Sequence, residues 1–259
     1  MLPNHHDRVW EYYGQHDPYY GVLTWDDYRR ENLDAAALTR FFDSGKAYID
    51  LVLQTIQQQL DPAFHPTRAL DFGCGVGRLT IPLAAICESA IGVDISPAML
   101  KEAQKNCQRL GVTNVEFVQS DDQLSRLMGR FDLINSFIVF QHIPCDRGEA
   151  ILTRLIDLLA DNGVGVLHFT YCKQPPATAK GRWLLWAYQS IPGLFDLRNR
   201  LKGLPQAQPI MQMNEYNLNH LFQILYRGGC QHCYVRFTLH EDTQGVVLFF
   251  QKKSLVVPR

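Results

Sequence analysis

The sequence predicts an α/β fold in which a parallel sheet carries helices on both faces. Between residues 68 and 171, short apolar segments alternate with longer amphipathic ones, and repeated strand–helix units of this kind produce a parallel sheet. A glycine-rich turn at residues 73–77 directly follows the first apolar segment. Glycine lets backbone amides approach a bound molecule, and a helix N-terminus presents unpaired N–H groups. A strand, a glycine turn and a helix start in succession therefore predict a ligand site.

Five strands and three helices make up the alternating part, the predicted ligand-binding core at residues 61–172. Ser96 and Pro97 open the second helix as N-cap and first-turn proline, and Gly111 closes it. A turn at 161–163 leads into the fifth strand. The strands are predicted at 68–72, 90–95, 115–120, 131–140 and 163–171, and the helices at 77–88, 97–110 and 146–160.

Residues 1–60 are predicted to form a helical segment that lies over the core. A segment this aromatic either packs on the core or lines the substrate side of the site as a lid, and a packed lid does both. One or two helices are predicted over 36–60, and the longer of them begins after Asp43 or Ser44 as its N-cap. The large rings before this helix are Trp10, Tyr12, Tyr13, Tyr19, Tyr20, Trp25 and Tyr28.

The regular alternation stops after residue 171. Residues 173–213 are rich in proline and contain two helix-like patches, 182–188 and 194–201. Their apolar faces favour a cap over the site or a dimer contact, and a membrane-surface helix is the alternative. The chain becomes regular again with a helix at 214–226 and strands at 234–240 and 246–251, joined by a loop at 241–245. We expect this last part, 214–259, to complete the core sheet.

The net charge, the hydrophobic fraction and the cysteine count narrow the class of protein. The formal net charge is −1 and the hydrophobic fraction is 46%, so no overall basic field attracts nucleic acid or an anionic membrane. We expect no stable membrane insertion, because no apolar run approaches the roughly 20 residues that span a bilayer. The N-terminus does not read as a signal peptide, and the seven cysteines are scattered, which together favour the cytoplasm. Cys230 and Cys233 lack the second ligand pair that a zinc site requires, so no metal is predicted.

The second strand ends in an acid. Asp94 lies about 20 residues beyond the glycine turn, the spacing at which an acid reaches the hydroxyls of a ribose. A nucleoside-containing ligand is therefore predicted. The dinucleotide pattern G-x-G-x-x-G is not met, because Arg78 occupies the third glycine position. An NAD-linked oxidoreductase is accordingly the weaker alternative.

Four motifs now resemble those of the class I S-adenosylmethionine (SAM) dependent methyltransferases, in the same order. They are LDFGCGVGR at 70–78, GVDISPAML at 92–100, VEFVQSDD at 115–122 and FDLINS at 131–136. The resemblance implies a Rossmann-like doubly wound sheet of seven strands in the order 3-2-1-4-5-7-6. It also implies SAM as cofactor and methyl transfer by direct displacement. We expect a small-molecule acceptor methylated at O or N, with a homodimer possible; a SAM-binding domain without catalysis is the alternative.

The resemblance also implies which residues hold the cofactor. The backbones of Gly73, Cys74 and Gly75 lie against the methionine part of SAM, and Asp71 orients this loop. Asp94 accepts hydrogen bonds from both ribose hydroxyls, for which a carboxylate is well suited.

Four further residues belong to the adenine side. Ile95 and Met99 flank the ring, Asp121 accepts from the adenine amino group, and Asp122 offers its backbone N–H. Which of the two acids contacts the amino group is open, and either could instead cap the turn near Gln123.

The remaining candidates lie towards the methionine and acceptor end. Ser136 ends the fourth strand, where an open α/β sheet binds its ligand. Arg78 pairs with the SAM carboxylate or is a surface side chain, and Ser44 touches the cofactor or caps its helix. His142 is the candidate catalytic base, with a packing role as the alternative.

The sequence after the fourth strand lacks the Asn/Asp-Pro-Pro-aromatic pattern of DNA amino-methyltransferases, which together with the charge argues against a nucleic-acid partner.

Overall fold

One mixed sheet of seven strands organises the computed structural model, which describes residues 5–173, 183, 209, 211–240 and 243–253. The strand order is β3-β2-β1-β4-β5-β7-β6, which confirms the predicted order. β1 to β5 run parallel, and β7 is antiparallel to both β5 and β6. The strands are β1 (Arg68–Phe72), β2 (Ser89–Asp94), β3 (Val115–Gln119), β4 (Phe131–Ser136), β5 (Leu159–Lys173), β6 (Cys230–His240) and β7 (Thr243–Lys252).

Helices cover both faces of this sheet. In chain order they are α1 (His5–His16), α2 (Pro18–Val22), α3 (Ala35–Gln59), α4 (Thr80–Ala84), α5 (Pro97–Leu110), α6 (Cys145–Leu158) and α7 (Leu218–Arg227). Short 3-10 helices occur at Asp26–Tyr28 and Phe140–His142. None of the helices in the described part of the chain combines the length and the apolar character needed to cross a bilayer.

The helix α3 begins earlier than predicted. Its N-cap is Asp34, whose carboxylate accepts from the backbone N–H of Ala37 at 2.7 Å, so the assignment of the cap to Asp43 or Ser44 is wrong. Both of these residues lie inside the helix. Gly45 lies within α3 without breaking the helix. A side chain at this position would collide with the carbonyl oxygen of Arg78. The glycine therefore serves close packing of α3 on the loop before α4.

Several other boundaries differ from the prediction: β4 ends at Ser136 and not at 140, α7 begins at Leu218 and not at 214, and β6 begins at Cys230 and not at 234. β5 starts at Leu159 and runs through the predicted turn at 161–163. Asn162 adopts a left-handed φ of 64°. At the same place the pairing of β5 with β4 shifts register, between Phe131 and Leu133 of β4. This irregularity absorbs the turn without ending the strand. The helix predicted at 77–88 is only the five residues of α4. The patches 182–188 and 194–201 lie outside the described residues, apart from Trp183, which is exposed.

The hydrophobic core has one layer on each face of the sheet. On one face, Ile49, Val52 and Ile56 of α3 pack on Leu133 and Val166; we call this the α3 face. The other face carries α6 and α7. The rings of the N-terminal segment form a third cluster around Phe41 that includes Tyr13, Tyr19, Tyr28 and Met99. This cluster fixes the N-terminal segment next to the start of α5.

Candidate active site

The glycine turn is held at the carboxyl ends of β1 and β2. The backbone N–H groups of Gly73 and Cys74 donate to the carbonyl of Val93 at 2.8 and 2.9 Å. The Asp94 carboxylate accepts from the N–H of Gly75 and of Ser96, each at 2.9 Å. Burial raises the pKa of Asp94, and these backbone hydrogen bonds oppose the rise. Asp94 thus ties the turn to the start of α5 and keeps lone pairs available for a ligand.

Asp71 lies beneath the turn rather than in the open site. It is 2% exposed, and its carboxylate accepts from the hydroxyl of Thr80 at 2.7 Å and from the side-chain amide of Asn135 at 3.1 Å. Burial raises the pKa of Asp71 to about 6, although these two hydrogen bonds and the nearby Arg78 charge lower it. Asp71 thus bonds the first residue of α4 and a residue of β4; that it orients the loop stays a prediction.

This raised pKa predicts a pH dependence of stability. Between about pH 4 and 6 the folded protein binds a proton on Asp71 that the unfolded chain has lost, so the free energy of unfolding falls as the pH rises through this window. The loss is on the order of 3 kcal/mol for a shift from 3.8 to about 6. Asp71→Asn should flatten this decrease when urea unfolding is compared at pH 4.5 and 7. Asp157→Asn, at an exposed position on α6, is the control; equal slopes for both variants would contradict the assignment.

Arg78 is buried, so its interpretation as a surface side chain is wrong. It is 6% exposed, its Nη1 donates to the Ser44 hydroxyl at 3.3 Å, and its Nε has no partner. Burial lowers the pKa of Arg78, and the charge of Asp71 opposes this. Ser44 in turn donates to the carbonyl of Phe41 at 2.7 Å. Ser44 thus links α3 to Arg78 instead of capping the helix.

Four buried side-chain atoms in the described residues lack a hydrogen-bond partner: Tyr48 Oη, Arg78 Nε, Asn135 Oδ1 and His168 Nδ1. All belong to the α3 face or its edge. Asn135 pairs with Asp71 across β1 and with Val166 across β5, and Val166 shares its side of the strand with His168. Buried polar groups are almost always paired in native proteins. Their concentration here indicates the place where a polar ligand binds.

These atoms fit the amino acid end of SAM. Arg78 Nε and the Tyr48 hydroxyl offer donors suited to a carboxylate, and Asn135 Oδ1 is an acceptor suited to an ammonium group. The sequence analysis did not single out Tyr48 or Asn135, because neither stands in a position that a local pattern marks.

The adenine side contains a shallow hollow between the ends of β2 and β3, lined in part by Val93, Val118, Asp121 and Leu124. The Asp121 carboxylate accepts from the N–H and the hydroxyl of Ser125 at 3.0 and 2.5 Å, and these bonds lower the pKa of Asp121. Asp121 therefore caps the turn near Gln123, which was the alternative considered for it. The residue is exposed to solvent.

The other three predicted adenine-side residues differ in their surroundings. Asp122 forms a salt bridge with Arg147, with Nη2 at 2.6 Å from its carboxylate. Met99 is buried with its methyl group against Gly21 of α2, and Ile95 is partly exposed. The Asp122 side chain is thus engaged with Arg147, and a ligand contact through its backbone N–H stays a prediction.

Helices α1 and α2 lie directly over this corner. The Glu11 carboxylate accepts from the Ser96 hydroxyl at 2.7 Å and from the N–H of Ala98 at 3.2 Å, next to the N-terminus of α5. Arg147 of α6 bonds Asp7 of α1 at 2.9 Å as well as Asp122. The side chain of Val22 occupies the space above Gly75. The sequence analysis missed Glu11 and Arg147, whose partners are remote in the chain.

Two candidates near the fourth strand are engaged within the protein. The Ser136 hydroxyl donates to the carbonyl of Phe72 at 2.9 Å. The Nδ1 of His142 lies 2.7 Å from the carbonyl of Gln212 and therefore carries the proton, and Nε2 lies 3.1 Å from the Gln141 side-chain amide nitrogen. Burial lowers the pKa of His142 to about 4. Catalysis by His142 stays a prediction, and it requires that Gln141 move away.

The strand order, the glycine turn and the acid at the end of β2 are those of the class I SAM-dependent methyltransferase fold. Residues 69–163 match the family described as the methyltransferase domain. The structure is similar to that of magnesium protoporphyrin IX methyltransferase from Synechocystis PCC 6803 with bound SAM. The TM-score is 0.59 and the identity 19%, with 98% of this chain and 100% of that chain covered.

Curated relatives match over shorter stretches. Magnesium-protoporphyrin O-methyltransferase of Synechocystis sp. is 34% identical over 88 residues, which are 34% of this chain and 38% of that protein. An uncharacterised RNA methyltransferase of Nostoc sp. is 38% identical over 77 residues, which are 30% of this chain and 16% of that protein. The chain thus spans less than two fifths of the length of each of these relatives.

Proposed function

We propose that this protein transfers a methyl group from SAM to an oxygen or nitrogen atom of a small molecule by direct displacement. The observation that carries the proposal is the set of unpaired buried atoms of Tyr48, Arg78 and Asn135. Asp94, at the carboxyl end of β2, belongs to the same site. These groups match the charged methionine end and the ribose of one ligand. A dinucleotide has no amino acid end to satisfy them.

Each residue then has a role in binding. When bound, SAM supplies a methyl group that is already activated on a sulfonium. Asp94 accepts from the ribose hydroxyls, Arg78 and Tyr48 bind the carboxylate, and Asn135 accepts from the amino group. The backbones of Gly73, Cys74 and Gly75 line the methionine side.

The groups that enclose the site act by position and by exclusion of water. Ile95 and Met99 flank the adenine, and Asp121 or the Asp122 backbone bonds its edge. Helices α1 and α2, held by Glu11 and Arg147, exclude water from the reacting atoms. Alignment of the acceptor in a dry site supplies much of the rate enhancement in such a reaction.

A small-molecule acceptor is favoured over RNA. The formal net charge of −1 gives no general attraction for a polyanion. One protein that is similar over most of the fold is by name a methyltransferase of magnesium protoporphyrin IX, a small molecule, whereas the RNA methyltransferase of Nostoc is similar over 30% of this chain. A cytoplasmic location and a homodimer also remain proposals, which cell fractionation and sedimentation would test.

Titration calorimetry tests the cofactor assignment. We expect SAM and S-adenosylhomocysteine (SAH) to bind and NAD not to bind. Arg78→Met keeps the length of the side chain but removes its donors, and should weaken SAH binding at least tenfold, because hydrogen bonds to charged groups contribute about 1.5–3 kcal/mol. Arg40→Met changes an exposed arginine of α3 and should leave the affinity unchanged.

The opposite results have distinct meanings. NAD binding without SAM binding would reject the cofactor assignment, whereas an unchanged affinity in Arg78→Met would reject only the role of that arginine. Transfer of radiolabelled methyl groups from SAM to a set of phenols, carboxylic acids and amines, with total RNA alongside, then separates the acceptor classes. SAM binding with no transfer to any of them would favour the non-catalytic alternative.

A further inference from the structure

His168 is a buried histidine that the cofactor roles above do not use. It lies on β5 with 0% exposure. Its Nε2 is 3.0 Å from the Thr238 hydroxyl of β6, and its Nδ1 has no partner. The ring is backed by Gly245, where any side chain would displace His168 Nε2 or Thr238 Oγ1. The ring nitrogen Nδ1 is therefore held in place without a bond to satisfy it.

Two rings, Phe137 and His240, lie next to this histidine, and a third ring, Tyr48, packs on Phe137. The Phe137 ring, just beyond the end of β4, has its centroid 5.1 Å from His168, 4.3 Å from Tyr48 and 6.1 Å from His240. The His168 and His240 centroids are 5.7 Å apart. Phe137 and Tyr48 are partly exposed and His240 is exposed, so the group is accessible from one side. We call Tyr48, Phe137, His168 and His240 the ring cluster.

The ring cluster adjoins the methionine end of the site. Tyr48 belongs to both groups, since its hydroxyl is one of the unpaired atoms assigned to the SAM carboxylate. Phe137 follows Asn135 by two residues, and Asn135 is paired with Asp71 across β1. The backbone between the cluster and the glycine turn is also unusual, because Ile138, a β-branched residue, has a φ of 61°. Such strain concentrates at functional sites.

We propose that the ring cluster binds the methyl acceptor, that the acceptor is a planar aromatic or conjugated ring carrying a neutral hydroxyl group, and that this hydroxyl bonds Nδ1 of His168. The inference rests on the proposed function and names the acceptor class and its binding residue. Flat rings pack on aromatic side chains with centroid separations of about 4.5–7 Å, so a planar ring is the shape that suits the accessible side of this cluster.

The chemistry of His168 selects a hydroxyl group. Burial, together with the neighbouring His240 and His142, lowers the pKa of His168 to about 3, so the ring is neutral at physiological pH. A hydroxyl can donate to or accept from Nδ1, so it satisfies either tautomer that Thr238 selects. A carboxylate can only accept and so matches Nδ1 in one tautomer only, whereas an ammonium group can only donate and would be desolvated there. A neutral hydroxyl is thus the group that matches this site.

Binding of 2-naphthol to the full-length protein saturated with SAH tests the inference. Naphthalene is the matched probe without the hydroxyl, and 2-naphthoate the matched carboxylate. We expect 2-naphthol to bind about tenfold more tightly than naphthalene, because it pairs a buried group that is otherwise unpaired, and more tightly than 2-naphthoate. In long-range 1H–15N spectra, the Nδ1 resonance of His168 should shift with 2-naphthol and not with naphthalene.

Variants at position 168 separate hydrogen bonding from packing. His168→Phe should remove the preference for 2-naphthol over naphthalene, and His168→Asn, which keeps a polar atom near Nδ1, should retain part of it. His220→Asn, on the exposed side of α7, is the control for loss of a histidine. Retained SAH affinity in each variant verifies its fold and its cofactor site.

The outcomes distinguish this inference from the proposed function. If 2-naphthol does not bind, or binds no better than naphthalene, or keeps its advantage in His168→Phe, the acceptor assignment is overturned even though SAH binds. If SAH fails to bind while the preference depends on His168, the ring cluster stands as a binding site and the cofactor assignment fails.

Discussion

Asp94→Ala should weaken the affinity for SAH by about 100-fold. The two carboxylate oxygens of Asp94 each accept one backbone hydrogen bond at 2.9 Å and retain lone pairs for the two ribose hydroxyls. Hydrogen bonds to a charged group contribute about 1.5–3 kcal/mol each, and about 1.4 kcal/mol corresponds to a factor of ten. Loss of both ligand bonds, reduced by access of water to the vacated site, gives the expected change.

The same substitution should also affect the free protein. The N–H groups of Gly75 and Ser96 lose their acceptor, and each buried unpaired group costs about 1–3 kcal/mol. Calorimetry must therefore be performed well below the thermal midpoint of the variant. Asp94→Asn retains one oxygen and should lie between wild type and Asp94→Ala, while Asp157→Ala on α6 should behave as wild type. An SAH affinity within threefold of wild type in Asp94→Ala would remove the ribose role.

The glycine turn and Asp94 could be predicted from the sequence because their geometry is local. A strand that ends in glycines, followed by a strand that ends in an acid, must bring the two together once the strands are parallel neighbours. The register Asp71 to Gly92 across β1 and β2 confirms that they are. The strand order also followed, since the resemblance covered the four motifs that contain β1 to β4.

The residues that the sequence did not mark depend on contacts between distant elements. His168 stands in an apolar strand sequence that does not mark it as a binding residue. Its contacts become visible only in the structure, where Phe137, just beyond β4, and Thr238 of β6 lie next to it. Tyr48 is one of several apolar-face residues of α3, and α3 approaches the glycine turn only because Gly45 contacts Arg78. No periodic pattern within one segment carries such information.

The contacts that hold the N-terminal segment on the core have the same origin. Arg147 connects Asp7 with Asp122 across more than 100 residues of chain, and Glu11 adds a second carboxylate to the cap of α5. Acids and arginines are common on helix surfaces, so their pairing is not readable from the sequence. The predicted packing of this segment is observed in the cluster around Phe41, because seven large rings in 40 residues require a surface to pack on; its role as a lid stays a prediction.

Gly73→Ala should destabilise the fold far more than the same change at Gly111, although both glycines have a φ near +70° (74° and 68°). A β-carbon at Gly111 meets nothing within 4 Å, whereas at Gly73 it would lie 2.5 Å from a methyl group of Val139. Gly111→Ala therefore reports only the cost of the left-handed conformation, about 1–2 kcal/mol. Gly73→Ala adds overpacking of about 1–3 kcal/mol, and both changes are measured as free energies of unfolding in urea.

Val139→Ala separates the two contributions at Gly73. In the double variant the methyl groups that meet the new β-carbon are absent, so the extra cost of Gly73→Ala should fall towards that of Gly111→Ala, a coupling detected by a double-mutant cycle. The affinity for SAH should remain low in the double variant, because the added β-carbon still alters the turn whose backbone faces the cofactor. Recovery of stability without recovery of affinity would show that the glycine serves ligand binding as well as packing. Equal costs at Gly73 and Gly111 would instead place Val139 away from the turn in solution.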